Sequence, residues 1–315
     1  MNKNILYFVL GGNFYFSLLF ELSLISLYFL KAKYRIIVFV DKDFLNILDQ
    51  SELRNLIDYE VVVISAKSSF ESAVNRYSFF DHVDVTGGER VLYCDADILF
   101  GGNIDEIFDL VEETNQICAI NDFDFLMNTP HNLALNRYGL QLFNGAQIRD
   151  IKINNIKSIN AGSFAFNINA KETFRKILKI STPGHICYEQ PYYNYVLYHE
   201  KNYNFSLQEF ITLKGYKLSE NNEVSSKPIV HFCGGAGSAV FKFSQMFHYM
   251  DLMFKDNKEY ESLKLIVSKN YERLSREYGD IFDKKAWPIL SSEDFPEDAS
   301  AKEIYLKKGL WFLFE

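Results

Sequence analysis

The stretch YCDADILF, residues 93 to 100, decides how the chain is read: an apolar run beginning at Arg90 delivers two carboxylates, Asp95 and Asp97, before the chain turns apolar again and meets Gly101-Gly102. Working outward toward the N-terminus, Ile5 to Leu10 is short, apolar and aromatic, as a fully buried strand should be. Phe14 to Leu30 is long enough for a helix packed upon it. Tyr34 to Val40 (YRIIVFV) makes a second strand, a polar helical stretch runs to Leu56, and Glu60 to Ile64 makes a third. This alternation predicts an α/β fold with a mostly parallel sheet flanked by helices. Arg90 to Tyr93 is then its fourth strand, and Asp95 and Asp97 fall at its carboxyl end, the edge at which open α/β sheets bind ligands.

Toward the C-terminus, the pattern predicts a strand over Ser163 to Ile168 after Asn160-Ala161-Gly162 and a helix over Lys171 to Ile180. An aromatic segment follows at Tyr188 to Tyr198, then a strand over Pro228 to Phe232 that runs into a Gly-rich loop. From about Phe241 the pattern turns helical, and Lys258 to Arg276 is a mixed-charge amphipathic run. The expected organisation is a catalytic domain over residues 1–250 and a helical C-terminal extension over 251–315. No internal repeat or low-complexity linker interrupts it. The final apolar cluster, Leu310 to Phe314, can dock on the body, pair with a copy or make peripheral contact with a membrane.

Composition narrows the function classes. The 315 residues are 48% hydrophobic and 23% charged, as in a globular chain, and carry a formal net charge of -8. No cluster of Lys and Arg offers to neutralise a polymer of phosphates, so nucleic acid is not an expected partner. A small phosphorylated ligand remains compatible, because a bound cation would supply positive charge locally. Cys94, Cys118, Cys187 and Cys233 form no Cys-x-x-Cys pair and read as reduced thiols, which fits a cytoplasmic location. Ile5 to Leu30 contains one formal charge, Glu21, but Gly11-Gly12-Asn13 breaks the run; strand, turn and buried helix is the better parse than a membrane span.

Three chemistries can use two acids at such a place. Asp95, Asp97 and Glu106 have the first, third and twelfth spacing of an EF-hand loop, yet Leu99 and Phe100 stand at the ligand and glycine positions between them. A haloacid-dehalogenase-type phosphatase also carries Asp-x-Asp after an apolar strand, but on its first strand and with a hydroxyl or Val where Leu99 stands. The third chemistry is a hard divalent cation with a diphosphate: residues two apart point the same way, so Asp95 and Asp97 can share one ion while Ala96 faces the protein.

Company favours the third. With Asp-x-Asp, the Asn160-Ala161-Gly162 tripeptide, Glu189-Gln190 opening an aromatic helix, and IVHFCGG at 229 to 235, residues 5 to about 250 resemble the family 8 glycosyltransferases of the GT-A fold. That resemblance implies a retaining hexosyltransferase. It assigns Asp95, Asp97 and His231 to Mn²⁺ or Mg²⁺, the ion bridging the phosphates of a UDP-sugar. Asn13, Arg76, Asn160, Gly234 and Lys242, with Asp95, would bind the donor. Gln190 and Glu189 would lie beside the reacting carbon, Gln190 with an electrostatic or positional role. The implied donor is UDP-galactose, UDP-glucose or UDP-N-acetylglucosamine, and the acceptor a glycan, lipid-linked or protein hydroxyl. Two departures stand out: Gly11-Gly12 replaces acidic residues of the family's first loop, and GGAGSAVFKF replaces its Lys-Pro-Trp, leaving Lys242 or a backbone nest over Gly234 to Ser238 to meet the diphosphate. These departures also motivate an alternative, a non-catalytic nucleotide-sugar or glycan-binding protein on the same fold.

Overall fold

A computed structural model describes residues 3–12, 14–31, 33–66, 69–121, 145–154, 156–181, 189–214, 224–233, 239–255 and 257–284. Cys187, most of the segment from Asn121 to Gln147 and the cluster from Leu310 to Phe314 lie outside them. The main sheet has seven strands: β1 (Asn4–Leu10), β2 (Arg35–Val40), β3 (Glu60–Val63), β4 (Arg90–Cys94), β6 (Ile117–Asn121), β7 (Ile159–Phe166) and β8 (Tyr203–Asn204), in the order β3-β2-β1-β4-β7-β6-β8. The β3-β2-β1-β4 half is parallel, β7 runs antiparallel to both neighbours, and β8 pairs parallel with β6. Strand order reverses at β1, so the crevice between the ends of β1 and β4 is the switch point where such sheets bind ligands.

A second sheet sits against that edge, built from β5 (Ile98–Phe100), β9 (Ile211–Leu213) and β10 (Ile229–His231) in the order β5-β10-β9. YCDADILF therefore crosses between sheets: Tyr93 and Cys94 end β4, Asp95-Ala96-Asp97 make the crossing, and Ile98 to Phe100 form β5. Leu99 and Phe100 are wholly buried, which is why they replace ligand and glycine of an EF-hand loop.

Alternation along the strands distributes the core over both faces. Leu6, Phe8 and Leu10 of β1 pack with the first helix, Tyr15–Phe29, while Ile5 and Tyr7 pack on the opposite face with Phe79, Tyr93 and Phe166. Strands buried on both faces read as continuous apolar runs, and β1, β2 and β4 do. Asp41 ends β2 as expected, its carboxylate accepting from Phe44 N at 2.9 Å to cap the next helix. The expected strand over 163–168 begins earlier, at Ile159, and takes Asn160-Ala161-Gly162 into the sheet. A bulge opposite, between Ala119 and Ile120, accommodates that irregular start.

The first helix is buried almost all round because helices Ala239–Met253 and Lys258–Lys284 cover the side turned away from the sheet. Among the described residues no helix is long and apolar enough to cross a membrane. Its polar residues have structural tasks. Ser23 Oγ lies 2.8 Å from the Ala96 carbonyl and also reaches that of Ile98, and Ser26 Oγ accepts from Phe100 N at 3.0 Å. Both serines thus hold the crossing between sheets.

Glu21, fully buried on the same helix, meets Ser51 Oγ at 2.5 Å and Asn270 Nδ2 at 2.7 Å, while its Oε2 has no hydrogen-bond partner. Burial raises its pKa from 4.5 to about 7, against the opposing effects of Ser51, Asn270 and Arg273. A carboxyl whose folded pKa is raised holds its proton in the native state after the unfolded chain has released it. Stability therefore falls as pH rises from about 4.5 to about 7, by up to about 1.4 kcal/mol per pH unit. Glu21→Gln should flatten that slope and raise stability at pH 8 by up to about 3 kcal/mol, the ionisation penalty that the rise from 4.5 to about 7 represents. Urea denaturation at pH 5 and pH 8 checks this; an unchanged pH slope would show that Glu21 does not titrate in the window.

Candidate metal and donor site

Main-chain register brings the carboxylates to their partners. Asp95 N donates to Gly162 O at 2.8 Å, extending the β4–β7 pairing and setting Asp95 against Gly162. Phe232 N donates to Asp97 O at 2.9 Å, extending β5–β10 and setting Asp97 beside His231. Two short backbone ladders thus fix a crossing that no regular element could hold.

Each carboxylate divides its oxygens in the same way. Asp95 Oδ1 takes the Tyr93 hydroxyl and lies 3.4 Å from Arg76 Nη1; its Oδ2 faces His231 Nε2 at 3.9 Å. Asp97 Oδ2 takes the Lys242 ammonium; its Oδ1 lies 3.2 Å from His231 Nε2. That Oδ1 is buried and has no hydrogen-bond partner, so its approach to Nε2 lacks hydrogen-bond alignment. Asp95, Asp97 and His231 each offer one ligand atom, all within 4.8 Å of one another, the single such group of three among the described residues. Burial opposes ionisation of Asp97, but Lys242 and His231 outweigh it and hold the carboxyl well below the usual carboxylate range. A buried, ionised, unpartnered oxygen beside an imidazole nitrogen and a second carboxylate fits a divalent cation: oxygen ligands suit Mg²⁺ and Mn²⁺, and the imidazole favours a transition metal.

Gly162 keeps the space open. A Cβ there would lie 2.3 Å from His231 Cε1 and 2.8 Å from Asp95 Oδ2. On the other side of the crevice, Gly12 has φ +82°, and a Cβ on Gly11 would lie 2.1 Å from Ser72 Oγ. The first loop is glycine here because it turns left-handed and packs beneath Ser72.

Arg76 joins the carboxylates to the aromatic helix Gln190–Glu200. Its Nε donates to Ala73 O at 2.9 Å and its Nη1 to Ala161 O at 2.6 Å; Nη1 also lies 3.1 Å from Glu189 Oε1. The guanidinium lies over the Tyr93 ring at 5.1 Å, and Tyr7 donates its hydroxyl to Arg76 O. Burial raises the Glu189 pKa, partly offset by Arg76; burial likewise disfavours the Arg76 charge, but Asp95 and Glu189 raise its pKa overall. Ala161 N donates to Gln190 Oε1 at 3.1 Å, and Asn194 bonds both the N–H and the carbonyl of Ile159. Asn160 Oδ1 accepts from Gly162 N at 2.8 Å, turning the strand at the site.

Of the residues singled out from sequence, Arg76, Asp95, Asp97, Asn160, Glu189, Gln190, His231 and Lys242 are brought to one crevice. Asn13 and Gly234, and with them the stretch from Gly234 to Ser238 expected to offer a backbone nest, lie outside the described residues. Lys242 pairs with Asp97, and Asp95 and Cys233 also favour its charge. Sequence reasoning passed over Tyr93, Gly162 and Ser23. For Tyr93 a signal existed, since residues two apart on a strand share a face and Tyr93 precedes Asp95 by two. For Ser23 none did.

No protein-family model and no curated protein matches this chain. Solved structures do. The apo structure of the bifunctional glycosyltransferase WbbM superposes with a TM-score of 0.53 at 12% identity, over 85% of this chain and 51% of that one. Mouse xyloside xylosyltransferase 1 in its apo form gives 0.48 at 12% identity, over 73% of this chain and 97% of that one. The galactosyltransferase LgtC in complex with donor and acceptor sugar analogs gives 0.48 at 13% identity, over 82% and 99%. This chain thus spans about half the length of WbbM. At such identities the likeness is one of fold: the chain has the mixed α/β GT-A glycosyltransferase fold, a mostly parallel seven-stranded sheet flanked by helices.

Gly162→Ala tests the packing of the site. Its methyl group must displace the imidazole or the Asp95 carboxylate, at about 1–3 kcal/mol of overpacking. The variant should unfold at lower temperature in a thermal melt, whereas a melting temperature equal to wild type would show that the site has room for the methyl group.

Proposed function

We propose that this protein is a metal-dependent glycosyltransferase that moves a hexose from a nucleotide-sugar, a UDP-sugar, to a hydroxyl of a glycan, lipid-linked or protein acceptor with retention of anomeric configuration. The observation that carries this reading is the oxygen-dividing pattern: each aspartate uses one oxygen on a protein cation and turns the other toward His231, at the switch point of a GT-A sheet. Asp95, Asp97 and His231 would hold Mn²⁺ or Mg²⁺, which would supply Lewis acidity for the departure of the diphosphate.

The protein's own groups define the remaining roles. Arg76, fixed by Ala73 O, Ala161 O, Asp95 and Glu189, holds Asp95 in place and presents positive charge at the donor's side of the crevice. Gln190, its Oε1 held by Ala161 N, is assigned the positional role beside the sugar, and Asn160 lines the sugar pocket. Glu189 is paired with Arg76 and buried, so it serves better to orient Arg76 than to attack carbon. The acceptor proton can leave with the departing phosphate oxygen, and no separate strong base is required. Asn13 and the Gly234 to Ser238 nest are proposed to meet base and phosphate. Residues 1–250 would carry the catalysis, with 251–315 as an extension.

Incubation with Mn²⁺ and a panel of nucleotide-sugars tests turnover. Free nucleotide should appear from at least one donor, faster with an acceptor, and chelation should stop it. Release from no donor would favour the non-catalytic binding protein. Asp97→Asn and His231→Ala should each weaken Mn²⁺–UDP binding at least by the ~10- to 100-fold that losing even an outer-shell partner of a metal site costs. Unchanged calorimetric affinity in either variant would remove that residue from the metal shell.

A further inference from the structure

The two cations of the crevice are held very differently. The Arg76 side chain contacts Ala73 O, Ala161 O, Asp95 and Glu189, and its own carbonyl is held by Tyr7. Lys242, the fourth residue of helix Ala239–Met253, reaches Asp97 Oδ2 with its ammonium, the one hydrogen-bonded ion pair it makes among the described residues, with the Asp95 carboxylate adding attraction from farther away. Arg76 is held at several points, whereas Lys242 is held by a single ion pair.

Charge gives that difference a consequence. Among the described residues the crevice sets three carboxylates, Asp95, Asp97 and Glu189, against two cations, Arg76 and Lys242. Bare M²⁺ entering between Asp95 Oδ2, Asp97 Oδ1 and His231 Nε2 would lie across one carboxylate from the Lys242 ammonium, in a largely buried place where like charges repel strongly. A nucleotide diphosphate arriving with the ion changes the balance, since its oxygens are better acceptors for the Lys242 ammonium than a carboxylate that is now a metal ligand.

We propose that Lys242 is an internal counter-cation that holds Asp97 in the free protein and disfavours the divalent ion until a nucleotide diphosphate draws the ammonium away, so that metal and donor bind as a pair. The inference rests on the metal–diphosphate reading above and deepens it, making Lys242 the positioning residue that couples the two ligands. Linkage makes the effect reciprocal: the factor by which nucleotide raises metal affinity is the factor by which metal raises nucleotide affinity.

Mn²⁺ titration, followed by the electron paramagnetic resonance signal of the free ion, with and without saturating UDP or GDP, tests it in the wild type, Lys242→Gln and Lys242→Arg. Glutamine can still hydrogen-bond Asp97 but lacks the charge; arginine keeps it. Wild type and Lys242→Arg should bind Mn²⁺ weakly alone and much more tightly with nucleotide. Lys242→Gln should bind Mn²⁺ alone about tenfold tighter or more, with a correspondingly smaller gain from nucleotide, tenfold being about 1.4 kcal/mol of relieved repulsion. Equal affinity for Mn²⁺ alone in wild type and Lys242→Gln, or Lys242→Arg behaving like Lys242→Gln, would overturn the coupling and leave the metal site standing. No Mn²⁺ bound by any of the three, with or without nucleotide, would overturn the metal site and the coupling together.

Discussion

The crossing of the chain from the main sheet to the small one is the constraint on which the site depends. Asp95, Ala96 and Asp97 belong to neither sheet, yet they are held at three points: by Gly162 O on Asp95 N, by Phe232 N on Asp97 O, and by Ser23 against the carbonyls flanking Asp97. Ala96 faces the core between the two acids. With the backbone fixed so closely, both carboxylates must point to the same side, and β10 carries His231 to meet them. A buried helix with serines on its inner face is therefore part of the site's architecture.

Electrostatics completes what geometry begins. An ionised carboxylate buried beside another is unfavourable unless positive charge is supplied. Here each carboxylate meets a protein cation through one oxygen, Asp95 at Arg76 and Asp97 at Lys242, the oxygens left over converge on His231, and with Glu189 the described acids outnumber the two cations. Full neutralisation by the protein would leave nothing to attract a cation; none at all would leave the crevice unstable without one. The arrangement lies between these limits.

How much of this was legible in the sequence follows from the length of the signals. β1, β2 and β4 are continuous apolar runs because helices cover both faces, and the first helix is a long apolar segment; these could be read directly. β5, β9 and β10 have three residues each, and their strand character comes from pairing with one another, a long-range property with no local periodicity; only β10 was anticipated, through its apolar approach to His231. Asn160-Ala161-Gly162 falls outside the strand expected over Ser163 to Ile168, since Asn and Gly favour turns, but tertiary pairing with β4 and β6 draws it into the sheet, where its lack of side-chain bulk at Gly162 is what the site requires. Lys242 was legible as the first cation after the Gly-rich stretch, whereas its pairing with Asp97, 145 residues away in sequence, was not.

The central claim is that Asp95, Asp97 and His231 share one divalent ion. Diffraction from crystals grown with Mn²⁺ and UDP, collected at a wavelength where manganese scatters anomalously, addresses it directly. The account predicts one strong anomalous peak between Asp95 Oδ2, Asp97 Oδ1 and His231 Nε2, on the side that Gly162 leaves open. A manganese peak elsewhere in the molecule, with these three side chains paired only to protein groups, would contradict it.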